Sequence, residues 1–550
     1  MPSGYLAPMK RRDLAGGLLA IFLVHLCYWP TRRAGLVTDF TGLQDRIADA
    51  PFLDFLHNFG FPALEQITHG FHWLFYHTFG PSPLAYYFLH TSLHLLNGYL
   101  LYRLLSALTR LVGWRDASAY TYGATLLFLL SPYQSEVVVW KVCFNYLGST
   151  ALMLGCLLAG FIYLAGGKNW AVGACLTCLT LAYFTFELAL ALPLLLLGLA
   201  FWVKAEKRMP WATVGTVAGL GLLSWIVYFS LNRFLLGDWI GHYGAEVHLQ
   251  TDPKNILVNY EHYVVKFSAF GREWSGATKA AFRQWLKASP HWQLLAGIAF
   301  VGWGAALYFY QRLNPQLRLA TLAFGLFGGA ALPVINLYAA YILHVENDRY
   351  GYWPYAFFAV FLVALLGALP RKWGLGILAL YLVASVFFLY RTNTYWQRGA
   401  AVYDRLVATY PPTTDSVTYV LAMPDNYRGT PLFKDFTKRH RILKSALYHR
   451  RGLDTTATVW QVASFNMERP TDRVSVSSDS LDHFRVQFEQ WGNWWWRNGI
   501  GAATVTTPHW RWVKDHHIYH LTLYDPPAAA RYLYTQGDRW RWAPSGPGGG

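Results

Sequence analysis

The sequence has few charged residues for its length. Only 14% of its 550 residues are Asp, Glu, Lys or Arg, and 54% are hydrophobic. A soluble domain carries about 25% charged residues, so an ordinary cytosolic globule is excluded. Lys and Arg exceed Asp and Glu by 46 to 30. Much of this excess lies in short loops beside apolar runs, where it sets membrane orientation and attracts anionic lipid. We therefore expect membrane lipid as a partner, and no nucleic acid.

Cysteine is also scarce. The chain has five cysteines, and none lies after residue 390. Cys175 and Cys178 are three residues apart, but no second pair accompanies them, so neither a disulfide framework nor a zinc cluster is indicated. His90 and His94 lie one helical turn apart, the spacing of a two-histidine metal face. No third ligand or HExxH pattern is present, which favours packing and hydrogen bonding for this pair.

Long apolar runs are abundant along roughly the first 390 residues. They lie at about 13–30, 83–112, 118–131, 146–166, 170–185, 187–203, 211–234, 291–310, 316–338, 353–369 and 373–390. Runs near twenty residues match the thickness of a bilayer. We therefore expect a polytopic α-helical membrane protein with about eleven transmembrane helices.

Basic residues in the loops indicate the orientation. Lys10, Arg11 and Arg12 precede the first run, and the even-numbered connections carry Lys or Arg. The positive-inside rule then places the N-terminus in the cytoplasm and the C-terminal part outside, and we expect the inner membrane of a prokaryote. Arg32 and Arg33 are the exception. The boundary between runs 170–185 and 187–203 has almost no loop. If the two runs formed one span, the predicted orientation of every later span and of the C-terminal part would be reversed.

Three long segments then lie outside the cytoplasm. Segments 31–82 and 235–290 mix amphipathic stretches with charges, which is typical of helices on a membrane surface. After a short helix near 394–408, the tail alternates apolar and polar residues in pieces such as SVTYVLA, RVSVS and FRVQF. We predict a transmembrane domain over 1–390, an extracytoplasmic β-rich or α/β domain over 391–545, and a flexible tail at 546–550.

Several ionisable residues lie inside or beside the apolar runs, where a charge is costly and by default marks a site or a buried pair. They are Asp39, Glu136, Lys141, Glu187, Glu346, Asp348 and Arg349. Structural alternatives remain open. Glu136 can pair with Lys141, Glu187 can pair with Arg349, and Asp39 can cap a helix or lie in a solvated loop.

These residues occur in motifs whose order resembles the GT-C superfamily of polytopic glycosyltransferases. The resemblance is to the branch of the protein O-mannosyltransferases and the tetratricopeptide-linked transmembrane mannosyltransferases, and it covers about 13 to 390. Asp39 matches the acid after the first span, and His94 and Asn97 lie in the second-span pattern FGPSPLAYYFLHTSLHLLNGYLL. The remaining matches are LLSPYQSEVVVWK, FELALALP and ENDRYGYWP. No tetratricopeptide array follows.

The resemblance implies transfer of a sugar from a polyprenyl-phosphate donor to a protein, glycan or lipid acceptor at the extracytoplasmic face, with inversion. Asp39 would be the catalytic base, and Arg349 with Lys141 would bind the donor phosphate. Supporting roles would fall to Glu136, Glu187, Glu346, Asp348, Tyr350 and His94. This scheme requires no metal or other cofactor, although a carboxylate cluster is able to hold Mg²⁺ or Mn²⁺.

Two other functions use the same residues. A flippase or transporter for a lipid-linked sugar would use the acids and bases as a polar pathway. Against it, the sequence shows no repeated halves and no paired broken spans. A catalytically inactive scaffold whose tail binds a partner is the second alternative. The chain also departs from the family, with Phe186 before Glu187 where the family has Lys, and these departures leave the sugar and acceptor open.

Overall fold

The computed structural model describes most of the chain. The described residues are 11–57, 63–207, 209–239, 252–288, 290–335, 345–411, 416–434, 442–454, 458–480, 482–488, 495–496, 499–500, 504–516 and 518–543. They form two compact units. The first comprises Met1–Trp29, Pro51–Val139 and Cys143–Thr392, and the second comprises Pro30–Ala50, Trp140–Val142 and Asn393–Gly550. The predicted tail at 546–550 lies outside the described residues.

The first unit is helical. Its helices are α1 (Arg11–Tyr28), α3 (Phe52–His57), α4 (Gln66–Phe79), α5 (Pro83–Leu111), α6 (Ser118–Leu129), α7 (Ser135–Val139), α8 (Phe144–Gly166), α9 (Trp170–Tyr183), α10 (Leu192–Glu206), α11 (Trp211–Leu236), α12 (Pro253–Ser268), α13 (Gly276–Lys287), α14 (His291–Tyr308), α15 (Pro315–Ala331), α16 (Tyr352–Gly367) and the first part of α17 (Arg371–Thr409). Helix α2 (Asp39–Ile47) belongs to the second unit.

Local sequence explains where several of these helices begin. Helices α5, α12 and α15 each start with Pro at the first helical position after a Ser, Asp or Asn cap. In each case the cap side chain accepts a hydrogen bond from a backbone N–H of the first turn, and Pro loses no bond there. Segments 31–82 and 235–290 contain α2, α3, α4, α12 and α13, so the helices expected in these long segments are present.

Six described helices are long and apolar enough to cross a membrane, which supports an integral membrane protein. They are Asp13–Thr31, Phe144–Gly166, Glu187–Glu206, Trp211–Leu236, Asn347–Gly367 and Arg371–Thr409. The expected count of eleven is not confirmed, because helices at the other apolar runs are shorter or more polar. Helix α6 has 12 residues, and α5 carries His90, His94 and Asn97.

Two predicted helix boundaries have clear outcomes. The runs 170–185 and 187–203, which have almost no loop between them, form two separate helices. Helix α9 ends at Tyr183, and a 3₁₀ turn, Glu187–Ala191, precedes α10. The short helix predicted near 394–408 is not separate. It continues the last apolar run as one 39-residue helix, α17, because the sequence between the two has no Gly or Pro to end it.

The second unit contains the sheets and α18 (Ile442–Arg451). Its strands are β1 (Thr418–Tyr427), β2 (Thr430–Pro431), β3 (Val459–Gln461), β4 (Ser464–Met467), β5 (Val474–Ser478), β6 (His483–Phe488), β7 (Trp495–Trp496), β8 (Gly499–Ile500), β9 (Thr504–Thr506), β10 (Trp510–Asp515), β11 (Ile518–Leu523), β12 (Arg531–Gln536) and β13 (Arg539–Trp542). These strands confirm a sheet domain in the C-terminal part of the chain.

Two sheets account for most of these strands. One has the order β13-β12-β1-β2, with β3 and β4 also paired to β1, and the other is antiparallel with the order β5-β6-β11-β10-β9. Strands β3 and β4 run parallel to β1, and α18 supplies the crossover that a parallel pair requires. The rings of Phe484 and Tyr532, one from each sheet, lie 4.4 Å apart, so the inner faces of the two sheets form a shared core.

Candidate functional site

A buried ion pair joins α7 to the 3₁₀ turn Val345–Gly351 in the first unit. The guanidinium of Arg349 donates from Nη1 to Oε1 of Glu136 over 2.7 Å. The backbone amide of Arg349 donates to Oε2 of the same carboxylate, also over 2.7 Å. The Tyr350 ring lies 4.6 Å from the guanidinium carbon, and its hydroxyl accepts from Nη2 over 3.1 Å. The Glu136 side chain is 1% exposed and that of Arg349 is 10% exposed. Glu136 therefore orients a guanidinium that retains some access to solvent or ligand.

Asp348, the neighbouring residue, holds two more cations. The Lys266 ammonium of α12 lies 2.5 Å from Oδ1, and Arg272 contacts Oδ2. The Tyr133 ring centre lies 5.6 Å from Lys266 Nζ and 5.3 Å from the Arg272 guanidinium carbon, within the range of a cation–π interaction. None of the three charged side chains is more than 1% exposed. Asp348 is thus a buried anchor for two cations.

The network extends through Arg272. Its Nε donates to Oε1 of Glu273 over 2.7 Å, its Nη2 donates to Thr392 Oγ1 over 2.6 Å, and Glu273 also pairs with Arg391. We name this network the paired cluster, and its charged members are Glu136, Lys266, Arg272, Glu273, Asp348, Arg349 and Arg391. With four cations and three carboxylates, the paired cluster carries an excess of positive charge, which suits an anionic group such as a phosphate.

The sequence explains how α12 reaches this cluster. Val258, His262, Tyr263, Lys266 and Phe267 are all buried and recur at the spacing of one helical face. Lysine on an otherwise apolar face is the signal that would have identified Lys266. Sequence reasoning missed it, together with Arg272, Glu273 and Arg391, because those residues lie outside the recognised motifs.

Glycine at position 351 permits the close approach between α12 and the 3₁₀ turn. A Cβ at Gly351 would lie 2.9 Å from the Phe267 ring, closer than side chains tolerate, so a larger residue would push the turn away. The turn would then move Asp348 and Arg349 off their partners. The glycine in ENDRYGYWP is therefore a packing requirement of the paired cluster.

Burial changes the proton affinity of the paired cluster. It raises the pKa of the Glu136 carboxyl to about 7, because removal from water disfavours the anion by more than the Arg349 charge stabilises it. Burial also lowers the pKa of Lys266, and the Asp348 charge offsets that effect in part. The ion pairs thus only partly compensate for the cost of burying these charges.

Asp39 and Lys141 lie in the second unit. Asp39 is partly buried as the first residue of α2, so it lies in the first turn and not at the cap position. Thr38 before it has φ 49°, a strained conformation for a β-branched residue, and its hydroxyl donates to the Lys434 carbonyl. The Lys141 amide donates to the Gly35 carbonyl over 3.1 Å. The structure therefore brings the Lys141 backbone against the segment leading to Asp39.

His94 is part of the helix packing in the first unit. Its Nδ1 lies 2.8 Å from the Tyr352 hydroxyl and its Nε2 lies 3.0 Å from the Leu129 carbonyl. Asn97 donates to the same hydroxyl over 3.0 Å, which ties α5 to α16. The side chain of Glu346 lies outside the described residues.

Glu187 is not a member of the paired cluster. Arg349 pairs with Glu136, and the described residues contain no ion pair between Arg349 and Glu187. Instead Glu187 lies close enough to Glu65 to raise the pKa of that carboxyl, which burial and the Glu187 charge bring to about 8. We name Glu65 and Glu187 the acid pair. The motifs of the sequence analysis do not include Glu65.

The described part of the chain contains no group of three or more His, Cys, Asp or Glu side chains arranged to hold a metal ion.

No protein-family model and no curated protein matches the sequence. Among solved structures, the chain is similar to ArnT from Cupriavidus metallidurans bound to undecaprenyl phosphate. The identity is 14%, the TM-score is 0.39, and the match covers 82% of this chain and 85% of that chain. Values this low do not establish a shared fold, so the contacts within this chain carry the assignment of roles.

Proposed function

We propose that the protein is a membrane glycosyltransferase of the GT-C type that transfers a sugar from a polyprenyl-phosphate donor to an acceptor, with inversion. The observation that carries the proposal is the paired cluster, with its excess positive charge and its partly accessible Arg349. The five sequence motifs, in the order typical of the family, support the same function. Apolar helices around the cluster suit a donor with a prenyl chain.

Arg349 is the proposed phosphate ligand, because a planar guanidinium binds phosphate bidentately. Glu136 orients it through two hydrogen bonds. Lys266 and Arg272, held by Asp348, add fixed positive charge near it. Lys141 is a second cation proposed to bind the phosphate, because it lies in the motif LLSPYQSEVVVWK. A phosphate leaving group is stabilised by such fixed charges without reorganisation during the reaction.

Asp39 is the proposed catalytic base. Inverting transfer needs a carboxylate to remove the proton from the acceptor hydroxyl as the sugar bond forms. Asp39 is partly buried in the first turn of α2, next to the strained Thr38. Strained backbone conformations are concentrated at functional sites, which supports a role for this position beyond packing.

The test of the proposal is sugar transfer by purified protein with a panel of polyprenyl-phosphate sugars and acceptors. Because a general base contributes about 10²–10⁴-fold, Asp39→Asn should remove most transfer, while donor binding should survive. Asp49→Asn, at another acid of the same unit, is the matched control. Undiminished transfer by folded Asp39→Asn would remove Asp39 from this role. A parent that moves donor lipid between leaflets and forms no product with the panel would favour a carrier.

We also propose that the second unit lies outside the cytoplasm of a prokaryotic inner membrane, as the basic loops indicate. Ser477 is exposed on β5, and the chain has no cysteine after residue 390. Ser477→Cys should therefore react with an impermeant thiol reagent in intact cells. Protection of this cysteine until the cells are lysed would reverse the orientation.

A further inference from the structure

The acid pair lies where three chain segments meet in the first unit. Glu65 precedes α4, and Glu187 begins the 3₁₀ turn before α10. The Ile67 amide donates to the Phe184 carbonyl over 2.9 Å, and the Thr68 hydroxyl donates to the Thr185 carbonyl over 2.7 Å. These bonds fix the two acidic segments side by side.

Helix α11 forms the third side. The Trp225 indole donates to the Leu190 carbonyl over 3.0 Å, and the Tyr228 ring packs 4.9 Å from the ring of Tyr183. The Tyr228 hydroxyl is close enough to interact electrostatically with both Glu65 and Glu187. The Tyr228 side chain therefore lies near both carboxylates.

Polar oxygens here lack hydrogen-bond partners among the described residues. They are Glu65 Oε1, Glu187 Oε1, Tyr228 Oη and Asn232 Oδ1. Asn232 is fully buried, and its Nδ2 donates to the Tyr228 carbonyl over 3.2 Å. The Oδ1 atom of Asn232 has no hydrogen-bond partner among the described residues. Tyr228 is 3% exposed and Glu65 is 8% exposed, so these oxygens are withdrawn from water.

Such an arrangement is costly without a positive charge. A buried polar atom without a partner is destabilising, and two nearby carboxylates disfavour each other's charge. The described residues provide no Lys or Arg ion pair to Glu65 or Glu187, in contrast to the carboxylates of the paired cluster. Carboxylate and amide oxygens are ligands that a hard divalent cation prefers, and the phenol is a further oxygen donor beside them.

We propose that Glu65, Glu187, Tyr228 and Asn232 bind one hard divalent cation, Ca²⁺ or Mg²⁺. The site shares no residue with the paired cluster and does not depend on the glycosyltransferase proposal. The cation neutralises the acid pair and joins the segment before α4 to the start of α10 and to α11, so its expected effect is on the stability of this part of the first unit.

The test uses the full chain in nanodiscs of zwitterionic phosphatidylcholine, stripped with a chelator. Terbium(III), which replaces Ca²⁺ at oxygen sites, is titrated while its luminescence is excited through the protein's aromatic residues. Tyr228 and Trp225 lie beside the proposed site. We expect a saturable signal that Ca²⁺ or Mg²⁺ displaces, and a rise in Tm with either of these ions. A parent protein without a saturable, displaceable signal would overturn the proposal, whatever the variants do.

Variants locate the site. Glu65→Gln and Glu187→Gln should each weaken terbium binding at least about tenfold, and the double variant should lose the saturable signal. Glu261→Gln is the matched control, because Glu261 is another partly buried carboxylate of the first unit whose oxygens have no hydrogen-bond partner among the described residues. An equal signal in parent and folded double variant would overturn the proposal and show that the acid pair holds protons only.

Discussion

The paired cluster and the acid pair are both groups of buried carboxylates in the first unit, but their surroundings differ. Asp348 touches two cations and Glu136 accepts two hydrogen bonds from Arg349. Glu65 and Glu187 lie close to each other and each leaves one oxygen unpartnered among the described residues. Each carboxylate of the paired cluster thus has a cation beside it, whereas the described residues provide no Lys or Arg ion pair to the acid pair. This difference suggests an anionic ligand for the first and a cationic ligand for the second.

The largest effect should come from removing the centre of the paired cluster. Asp348→Asn leaves Lys266 and Arg272 buried without their shared carboxylate. Removing one partner of a buried ion pair typically costs about 3–5 kcal/mol, because an uncompensated charge stays in a low-dielectric environment.

We expect a large fall in Tm in nanodiscs, or loss of folded protein. Asp54→Asn, at an exposed acid of α3, is the control and should leave Tm unchanged. An Asp348→Asn protein as stable as the parent would show that Lys266 and Arg272 do not depend on this acid.

Glu136 should give a pH dependence of somewhat smaller size. Its folded-state pKa of about 7 is above the ordinary value of 4.5, so the folded protein binds a proton more tightly than the unfolded chain. The resulting stability is fully present below the unfolded-state pKa and is lost as the pH rises through about 7.

The loss should amount to at most about 3 kcal/mol across this window. The Glu136→Gln variant cannot titrate at this position, so its Tm should rise relative to that of the parent as the pH is raised from about 5 to about 8. A difference in Tm that stays constant over this range would mean that Glu136 titrates normally.

Arg349 tests the anionic ligand of the paired cluster. Hydrogen bonds to charged groups contribute about 1.5–3 kcal/mol, so Arg349→Ala should weaken donor binding about 10- to 100-fold. Arg349→Lys keeps the charge but loses the planar fork, so a smaller loss is expected. Arg312→Lys, at a 3₁₀ turn outside the paired cluster, is the control. If both Arg349 variants bind and use donor like the parent, Arg349 is structural and the phosphate binds elsewhere.

Sequence reasoning reached the helical membrane part, the sheets after residue 416 and the charged motifs, because apolar runs, alternation and charges in apolar surroundings are local signals. It did not predict which charged residues pair with each other. Glu136 contacts Arg349 across 213 positions of sequence, and Lys266 reaches Asp348 from a helix whose amphipathic pattern indicated only a membrane-surface location. Pairing across such distances depends on packing, which no single motif encodes.

The helix count shows the same limit. Hydropathy marks α5 as apolar, yet its buried face carries His94 and Asn97, whose hydrogen bonds are made to Tyr352 of α16. Polar residues in a span such as α5 bond to residues of another helix, and the sequence of the span itself does not show which helix that is. For the acid pair, Glu187 was visible as a charge in an apolar run, whereas Glu65 lies outside the apolar runs and became notable only through its burial.

The smallest expected effect is that of Glu65→Gln, and it gives the sharpest contrast with Asp348→Asn. Both replace a buried carboxylate with its amide. Because the pKa of Glu65 is raised to about 8, this side chain is mostly neutral at pH 7 when no cation is bound, and a neutral amide of nearly the same shape should change the stability by at most about 1 kcal/mol. The new amide group can donate to Glu187 or Tyr228, so in chelator we expect Tm unchanged or slightly raised. With Ca²⁺ or Mg²⁺ present, the parent should gain stability that the variant does not. A loss in chelator as large as that of Asp348→Asn would mean that Glu65 has a positive partner after all, and the contrast between the two groups of carboxylates would fail.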